Sequence, residues 1–329
     1  MKLLILCNNL NRAGFRQRIA VHVDTLRANG IDCKVVKLPA GSLSRRKLFK
    51  SAAEFDGVLL HKKGLNPFDA MWLRRYGKKI IYHFDDAIMY SDKSPEHYSL
   101  AHFRPWKRSV ELADMVIVSS PYLAEHARRF NSNVKILSTA IKVSDYRCNC
   151  SPRNDNKVRL VWIGSKSTLL YIKGIKPALE EIGLRFDNVV LRLVCDDFFD
   201  MESMPVEKYL WSAEKRGQYL GACDIGLAPL PDNPFTQGKC SFKVLEYSAS
   251  ALPVIASPVG TNADHIVEGV TGFLAVTDDD WIEKISFLID KADMRHRMGK
   301  NGRRHCEQYD INIIGQRFAE LILTLTGKD

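Results

Sequence analysis

Short, unbroken apolar runs recur along the chain, each followed by a segment of helical period, and the whole alternation occurs twice. Leu3–Cys7, Cys33–Leu38, Gly57–Leu60, Lys79–Phe84 and Met115–Val118 make the first series. Val158–Ile163, Val189–Cys195, Asp224–Ala228, Pro253–Ala256 and Phe273–Val276 make the second. A strand with one wet face alternates polar and apolar residues. Continuous Val, Ile and Leu mean that both faces are covered, as in a parallel sheet with helices on each side. The expected fold is therefore α/β, with two doubly wound, Rossmann-like parallel sheets in tandem. Between the series, Ser138–Lys157 loses periodicity and carries the turn residues Ser151-Pro152-Arg153-Asn154. With 329 residues to divide, this places one domain at 1–150 and a second at 151–309. Helices are expected to about Asn29, near 168–183, 212–222, 239–250 and 278–308, and last over about Asn312–Thr324.

Charge separates the two parts. Residues 1–157 hold 28 Lys and Arg against 14 Asp and Glu; the remainder holds 20 against 24, giving +10 overall. Opposite signs suggest domains that meet different partners. Leu43, Leu48 and Phe49 interleave with Arg45, Arg46, Lys47 and Lys50, a pattern expected of an amphipathic helix lying on an anionic membrane surface. Nucleic acid is not expected, because the basic residues lack aromatic interleaving or a known motif. No apolar run approaches the ~20 residues of a membrane span, and no secretory leader pattern opens the sequence. A cytoplasmic protein, peripheral on the inner membrane face, is the expectation. Eight scattered cysteines fit reduced thiols, and the one close pair, Cys148 and Cys150, has no second pair with which to bind zinc.

Ligands of open α/β sheets bind beyond the carboxyl ends of the strands, so the turns after strands carry the chemistry. Four stand out. Asn8–Gly14, with Arg16 and Arg18 behind it, has one glycine and lacks a dinucleotide fingerprint. It offers Gly14 and Arg16 to an acceptor, or is simply a tight turn. Gly164-Ser165-Lys166-Ser167-Thr168 brings hydroxyls, amides and an ammonium to a strand-to-helix turn, which suits a phosphate or a helix cap. Lys239, Lys243 and Glu246 are spaced to share one helix face. Two cations at a helix start oppose its dipole unless an anion joins them; a diphosphate fits, with Glu246 two turns in at the depth of a pentose. Finally His83-Phe84-Asp85-Asp86 closes a strand. Adjacent side chains diverge, so one carboxylate at most is expected to face a ligand. Asp85 and Asp86 are adjacent and make no D-x-D for a metal.

The run Asp224–Ala275, above all Leu245-Glu246, Pro253-Val254-Ile255-Ala256 and Gly269-Val270-Thr271-Gly272-Phe273-Leu274, resembles the donor half of retaining glycosyltransferases of the group 1, family 4 type. That resemblance implies the GT-B architecture, two facing Rossmann-like domains with a cleft between them. It also implies that the last helix, about 310–326, packs back on the first domain. The donor would be a nucleotide-diphospho-sugar and the acceptor a cell-envelope or lipid-linked glycan, with no metal or other cofactor. Donor-binding residues would be Gly164, Ser165, Lys166, Ser167, Lys239, Lys243 and Glu246. His83, Asp85 and Asp86, with Lys243, would serve catalysis. The family pattern places a glutamate eight residues before Glu246, and this chain has Gly238 there. A sugar-nucleotide epimerase or hydrolase, or a non-catalytic partner subunit, are the alternative readings.

Overall fold

The structure is a computed structural model that describes residues 1–91, 93–146 and 155–327. It divides into two compact units. The first comprises Met1–Ala140, Asn233–Cys240 and Ile311–Asp329; the second comprises Ile141–Asp232 and Ser241–Asp310. The first boundary falls at 140/141 rather than 150, and Asn233–Cys240 joins the C-terminal segment in the first unit.

In chain order the first unit contains β1 (Lys2–Cys7), α1 (Ala13–Arg18), α2 (Val23–Ala28), β2 (Asp32–Lys37), α3 (Ser42–Ser51), β3 (Gly57–His61), α4 (Pro67–Tyr76) and β4 (Ile80–Phe84). A small hairpin, β5 (Tyr90–Ser91) and β6 (Ser94–Tyr98), leads to α5 (Leu100–Leu112), β7 (Met115–Val118), α6 (Pro121–Arg128) and β8 (Val134–Ile136). Six strands form a parallel sheet in the order β2-β1-β3-β4-β7-β8. Every residue of β3, β4 and β7 is buried, as their unbroken apolar sequences require, while the edge strands β2 and β8 carry lysines outward.

The second unit repeats the plan. It has β9 (Val158–Ile163), α7 (Leu169–Lys173), α8 (Lys176–Arg185), β10 (Val189–Cys195), β11 (Val206–Leu210), α9 (Arg216–Gly221), β12 (Ile225–Ala228) and α10 (Phe242–Ala249). Then follow β13 (Val254–Ala256), α11 (Asn262–His265), β14 (Gly272–Leu274), α12 (Asp278–Asp290) and α13 (Ala292–Cys306). Its parallel sheet runs β11-β10-β9-β12-β13-β14. The last helix, α14 (Ile311–Thr326), buries Ile314, Phe318, Ala319 and Ile322 against Leu3, Ile5, Ile19 and Leu26 of the first unit.

Several expected helices are shorter or broken: the first divides into α1 and α2, and 212–222 narrows to α9, Arg216–Gly221. The 168–183 and 278–308 segments each divide in two, at Gly174–Ile175 and at Lys291, whose backbone leaves the helical region. The 239–250 helix starts only at Phe242, because Ser241 adopts φ +52°, which no helix interior accommodates. No disulfide forms among the described cysteines; Cys148 and Cys150 lie outside the described residues.

Candidate functional site

In the first unit, polar chemistry collects at the carboxyl ends of β3 and β4. His61 closes β3 and Lys62 follows it; His83 lies in β4, with Asp85 and Asp86 just beyond. Lys62 has φ +51°, a left-handed conformation that a side chain ordinarily avoids and that is held here by what the residue binds. Its ammonium contacts Asp85 Oδ1 at 2.8 Å and Asp86 Oδ2 at 2.5 Å. Both adjacent carboxylates thus face one cation, contrary to the expected divergence, because Lys62 spans the space between them. The missing Cβ of Gly14 leaves room for it; a methyl there would stand 3.2 Å from Lys62 Nζ. Arg18, buried, brings its Nε to 3.8 Å from Asp85 Oδ2. Arg16, expected on the acceptor side, is exposed on α1.

His83 is turned into the core rather than outward. It is 1% exposed, its Nδ1 is 3.0 Å from His61 Nδ1, and its ring packs near Phe318. Burial pushes the His61 pKa down to about 4, and that of His83 well below its ordinary value, with Arg18 and Lys62 adding to both shifts. Two neutral imidazoles sharing one N–H explain the short separation. His61, His83 and Asp85 form a trio that could hold a metal ion. The donor set fits poorly, since Asp85 is already compensated by Lys62 and Arg18, and a divalent ion would meet both cations at close range. Burial works against the Lys62 charge, but Asp85 and Asp86 outweigh it and raise its pKa. Burial likewise opposes the Asp86 charge, yet Lys239 and Lys62 hold its carboxyl well below the usual range.

Lys239 corrects the sequence reading most directly. It belongs to the first unit, lies outside the helix, and places its ammonium 3.4 Å from Asp86 Oδ1 and 4.5 Å above the Phe235 ring. It shares no helix face with Lys243 and Glu246.

In the second unit, Tyr247 locks α10 onto the sheet. Its ring covers Gly226, and its hydroxyl accepts from the Ile163 N–H at 2.9 Å and donates to the Leu227 carbonyl at 3.1 Å. The preceding residue, Glu246, is thereby fixed and 5% exposed. Tyr146 donates its hydroxyl to Glu246 Oε1 at 2.8 Å, and Arg216 Nε stands 4.0 Å from the same oxygen. Among the described residues, Oε2 takes no hydrogen bond. Burial raises the Glu246 pKa, against the pull of Tyr146, Arg216 and Lys243. Lys243 lies in the first turn of α10, with Nζ 5.5 Å above the Trp162 ring. The Ser241 hydroxyl, at the helix start, is buried with no partner among the described residues. Tyr146 and Arg216 carry no motif, and only the fold brings them to Glu246.

The 164–168 turn is more self-contained than its sequence suggests. Ser165 and Thr168 form a reciprocal cap, and Ser167 Oγ is 3.0 Å from Ser165 Oγ. The Lys166 amide donates to Asp196 and its ammonium pairs with Asp197 at 3.1 Å. Gly164 is required by Trp162, whose ring would lie 2.3 Å from an added Cβ.

Residues 218–305, which include α10 and Glu246, match the family described as glycosyl transferases group 1. That match to the group 1 family spans about a quarter of the chain. The chain is also 28% identical over 162 residues to N,N'-diacetylbacillosaminyl-diphospho-undecaprenol alpha-1,3-N-acetylgalactosaminyltransferase of Campylobacter jejuni. That match covers 46% of this chain and 42% of the relative. The chain thus matches less than half the length of its curated relatives. Among solved structures, HepE of Anabaena in complex with UDP and glucose has a TM-score of 0.75 at 18% identity, covering 98% of this chain and all of its own. Sucrose-phosphate synthase of Thermosynechococcus elongatus has 0.76 at 16%, covering both chains fully. The fold is the GT-B fold of glycosyltransferases.

Against that family pattern, Gly238 is a packing residue. A Cβ there would stand 2.4 Å from Ala87 Cβ and 2.6 Å from the Ala87 amide nitrogen, just after Asp86. A glutamate has no room. Gly238→Ala is expected to destabilise the protein by roughly 1–3 kcal/mol through overpacking, and Gly238→Glu by more. A denaturant midpoint for Gly238→Glu equal to the parent's would contradict this.

Proposed function

We propose that the chain is a retaining glycosyltransferase that moves a sugar from a nucleotide-diphospho-sugar to a hydroxyl of a cell-envelope or lipid-linked glycan. The observation that carries this reading is the second unit's own geometry. A buried carboxylate with one oxygen open among the described residues sits one turn from Lys243 and the first amides of an eight-residue helix. The helix start and the ammonium suit a diphosphate, whose charge grows as the glycosidic bond breaks, and fixed donors stabilise that growth. Glu246 Oε2 suits the hydroxyls of the adjoining pentose. Lys239 is withdrawn from this set, being paired with Asp86; Gly164, Ser165, Lys166 and Ser167 contribute backbone amides and hydroxyls at most. In the first unit, Asp85 and Asp86, held by Lys62, are the polar groups offered to the acceptor. His83 backs them from the core, with Gly14 making room for Lys62. The displaced diphosphate takes the acceptor proton, so the step needs no protein nucleophile and no metal.

Support of a coarser kind comes from relatives. The Campylobacter enzyme is named for transfer onto a diphospho-undecaprenol-linked sugar, and HepE was crystallised with UDP and glucose. By the same reading the protein works at the inner face of the cytoplasmic membrane. Among the described residues no helix is long and apolar enough to cross it.

A thermal-shift panel of UDP, GDP, ADP and their sugar conjugates tests the donor. One base is expected to raise the melting temperature with the logarithm of its concentration, and Lys243→Ala to remove the shift. A flat response to all of them defeats the reading.

A further inference from the structure

Of the residues expected to form an interfacial helix, Phe49 is fully buried and Leu48 packs on the first unit's core. Helix α3 therefore does not present an apolar stripe of its own. A different surface emerges from α3 and α4 together. Leu43, Phe68 and Met71 are 79%, 73% and 55% exposed. Leu43 and Phe68 are the second residues of their helices, and Arg45 joins the two first turns by its 2.7 Å contact with Asp69. Scattered exposed apolar residues are ordinary; three large ones on a coupled helix pair are a patch. Around them stand Arg46, Lys47, Lys50, Arg75 and Lys78, all exposed. The guanidinium of Arg46 lies 4.1 Å above the ring of Trp72, which stacks on Tyr76. Over residues 41–53 and 66–79 the sole carboxylate is Asp69, and it is buried against Arg45.

We infer that this α3–α4 face docks on an anionic lipid bilayer, with Leu43, Phe68 and Met71 entering the acyl boundary, Trp72 at headgroup depth and the cations on lipid phosphates. Apolar contacts with amphipathic aromatics and a cation-rich helix pair match that surface. Position adds to the argument. Both helices begin where β2 and β3 end, so the face lies at the same edge of the sheet as His61, Lys62 and Asp85. A hydroxyl carried by a membrane lipid would be brought to the polar cluster by docking alone. The inference rests on the membrane-borne acceptor of the reading above, but its test uses no acceptor.

Co-sedimentation of the full chain with phosphatidylcholine vesicles, with and without phosphatidylglycerol, provides that test. Binding is expected only to the anionic vesicles and should weaken with salt. Arg46→Gln and Lys47→Gln should each weaken partitioning about five-fold, and Leu43→Ser/Phe68→Ser/Met71→Ser should abolish it. The triple variant should keep the nucleotide-dependent thermal shift, which separates failed docking from a failed donor assignment. Equal binding to neutral and anionic vesicles, no binding to either, or full binding by the triple variant overturns the inference.

Discussion

Acidification from pH 7 to pH 4 is expected to strip most of the stability from the first unit. His22 and His61 are buried, and each has its pKa pushed down from 6.5 to about 4, chiefly by burial. His83 is shifted in the same direction by burial, with His61, Arg18 and Lys62 adding to it. A histidine with a depressed folded-state pKa stays neutral in the native protein while the unfolded chain binds a proton. Native stability is therefore full above pH 6.5 and falls as pH drops toward 4. At 1.36 kcal/mol per pH unit, the loss is roughly 3 kcal/mol for each of His22 and His61, a large share of an ordinary domain's total. Asp86 does not offset this. Its carboxyl is depressed, so its contribution persists above the ordinary value of 3.8 and is lost only at still lower pH. Denaturant titrations at half-unit steps would give the slope. His22 offers a clean control, because its ring meets Phe318 edge-on at 5.7 Å and its Nδ1 has no partner among the described residues. His22→Phe should flatten the pH 4–6.5 slope by roughly one proton's worth. An unchanged slope would mean that His22 already titrates freely.

The same burial explains which parts of the molecule could be read in advance. Strands covered on both faces, such as Val158–Ile163 and Val189–Cys195, show as unbroken apolar runs and lie where the runs do. Edge strands Val134–Ile136 and Val206–Leu210 carry Lys135 and Lys208 toward solvent and Glu207 toward Arg159 and Arg192, so no run announces them. Glu246 was legible because a local pattern surrounds it. Lys62 and His61 were not, because only the register of β3 beside β4 sets them against Asp85 and His83. Lys239 was misread for a related reason. A spacing of four residues implies one helix face only if the helix exists, and the left-handed Ser241 ends it between the two lysines. Likewise Leu48 and Phe49 look amphipathic in sequence, but both pack on the first unit's core, and Phe68 and Met71 of α4 are the large apolar residues left to solvent.

Glu246→Gln should separate binding from stability in opposite directions. The amide keeps the shape of the carboxylate and an oxygen for the Tyr146 hydroxyl, so the local packing survives. What it loses is the charge that would hold the pentose hydroxyls. Hydrogen bonds to a charged group contribute about 1.5–3 kcal/mol, so sugar-nucleotide affinity should fall roughly 10- to 100-fold by calorimetry. Stability moves the other way. Burial raises the Glu246 pKa, so the native state binds this proton more tightly than the unfolded chain does. The stability this group supplies is present at low pH and lost as pH rises through the raised value. At pH 7 the buried carboxyl is therefore a cost relative to the unfolded chain that glutamine removes, and the denaturant midpoint should be equal to or above the parent's. A residue that costs stability and is needed for a ligand has the energetic signature of a binding site rather than of a scaffold. Tyr146→Phe distinguishes the two cases further. It removes the donor to Oε1 and leaves the charge less compensated, so it should lower stability at pH 7 more than at pH 4. Undiminished affinity in Glu246→Gln would move the pentose away from α10, and a lowered midpoint would make Glu246 a structural anchor for Tyr146 and Arg216.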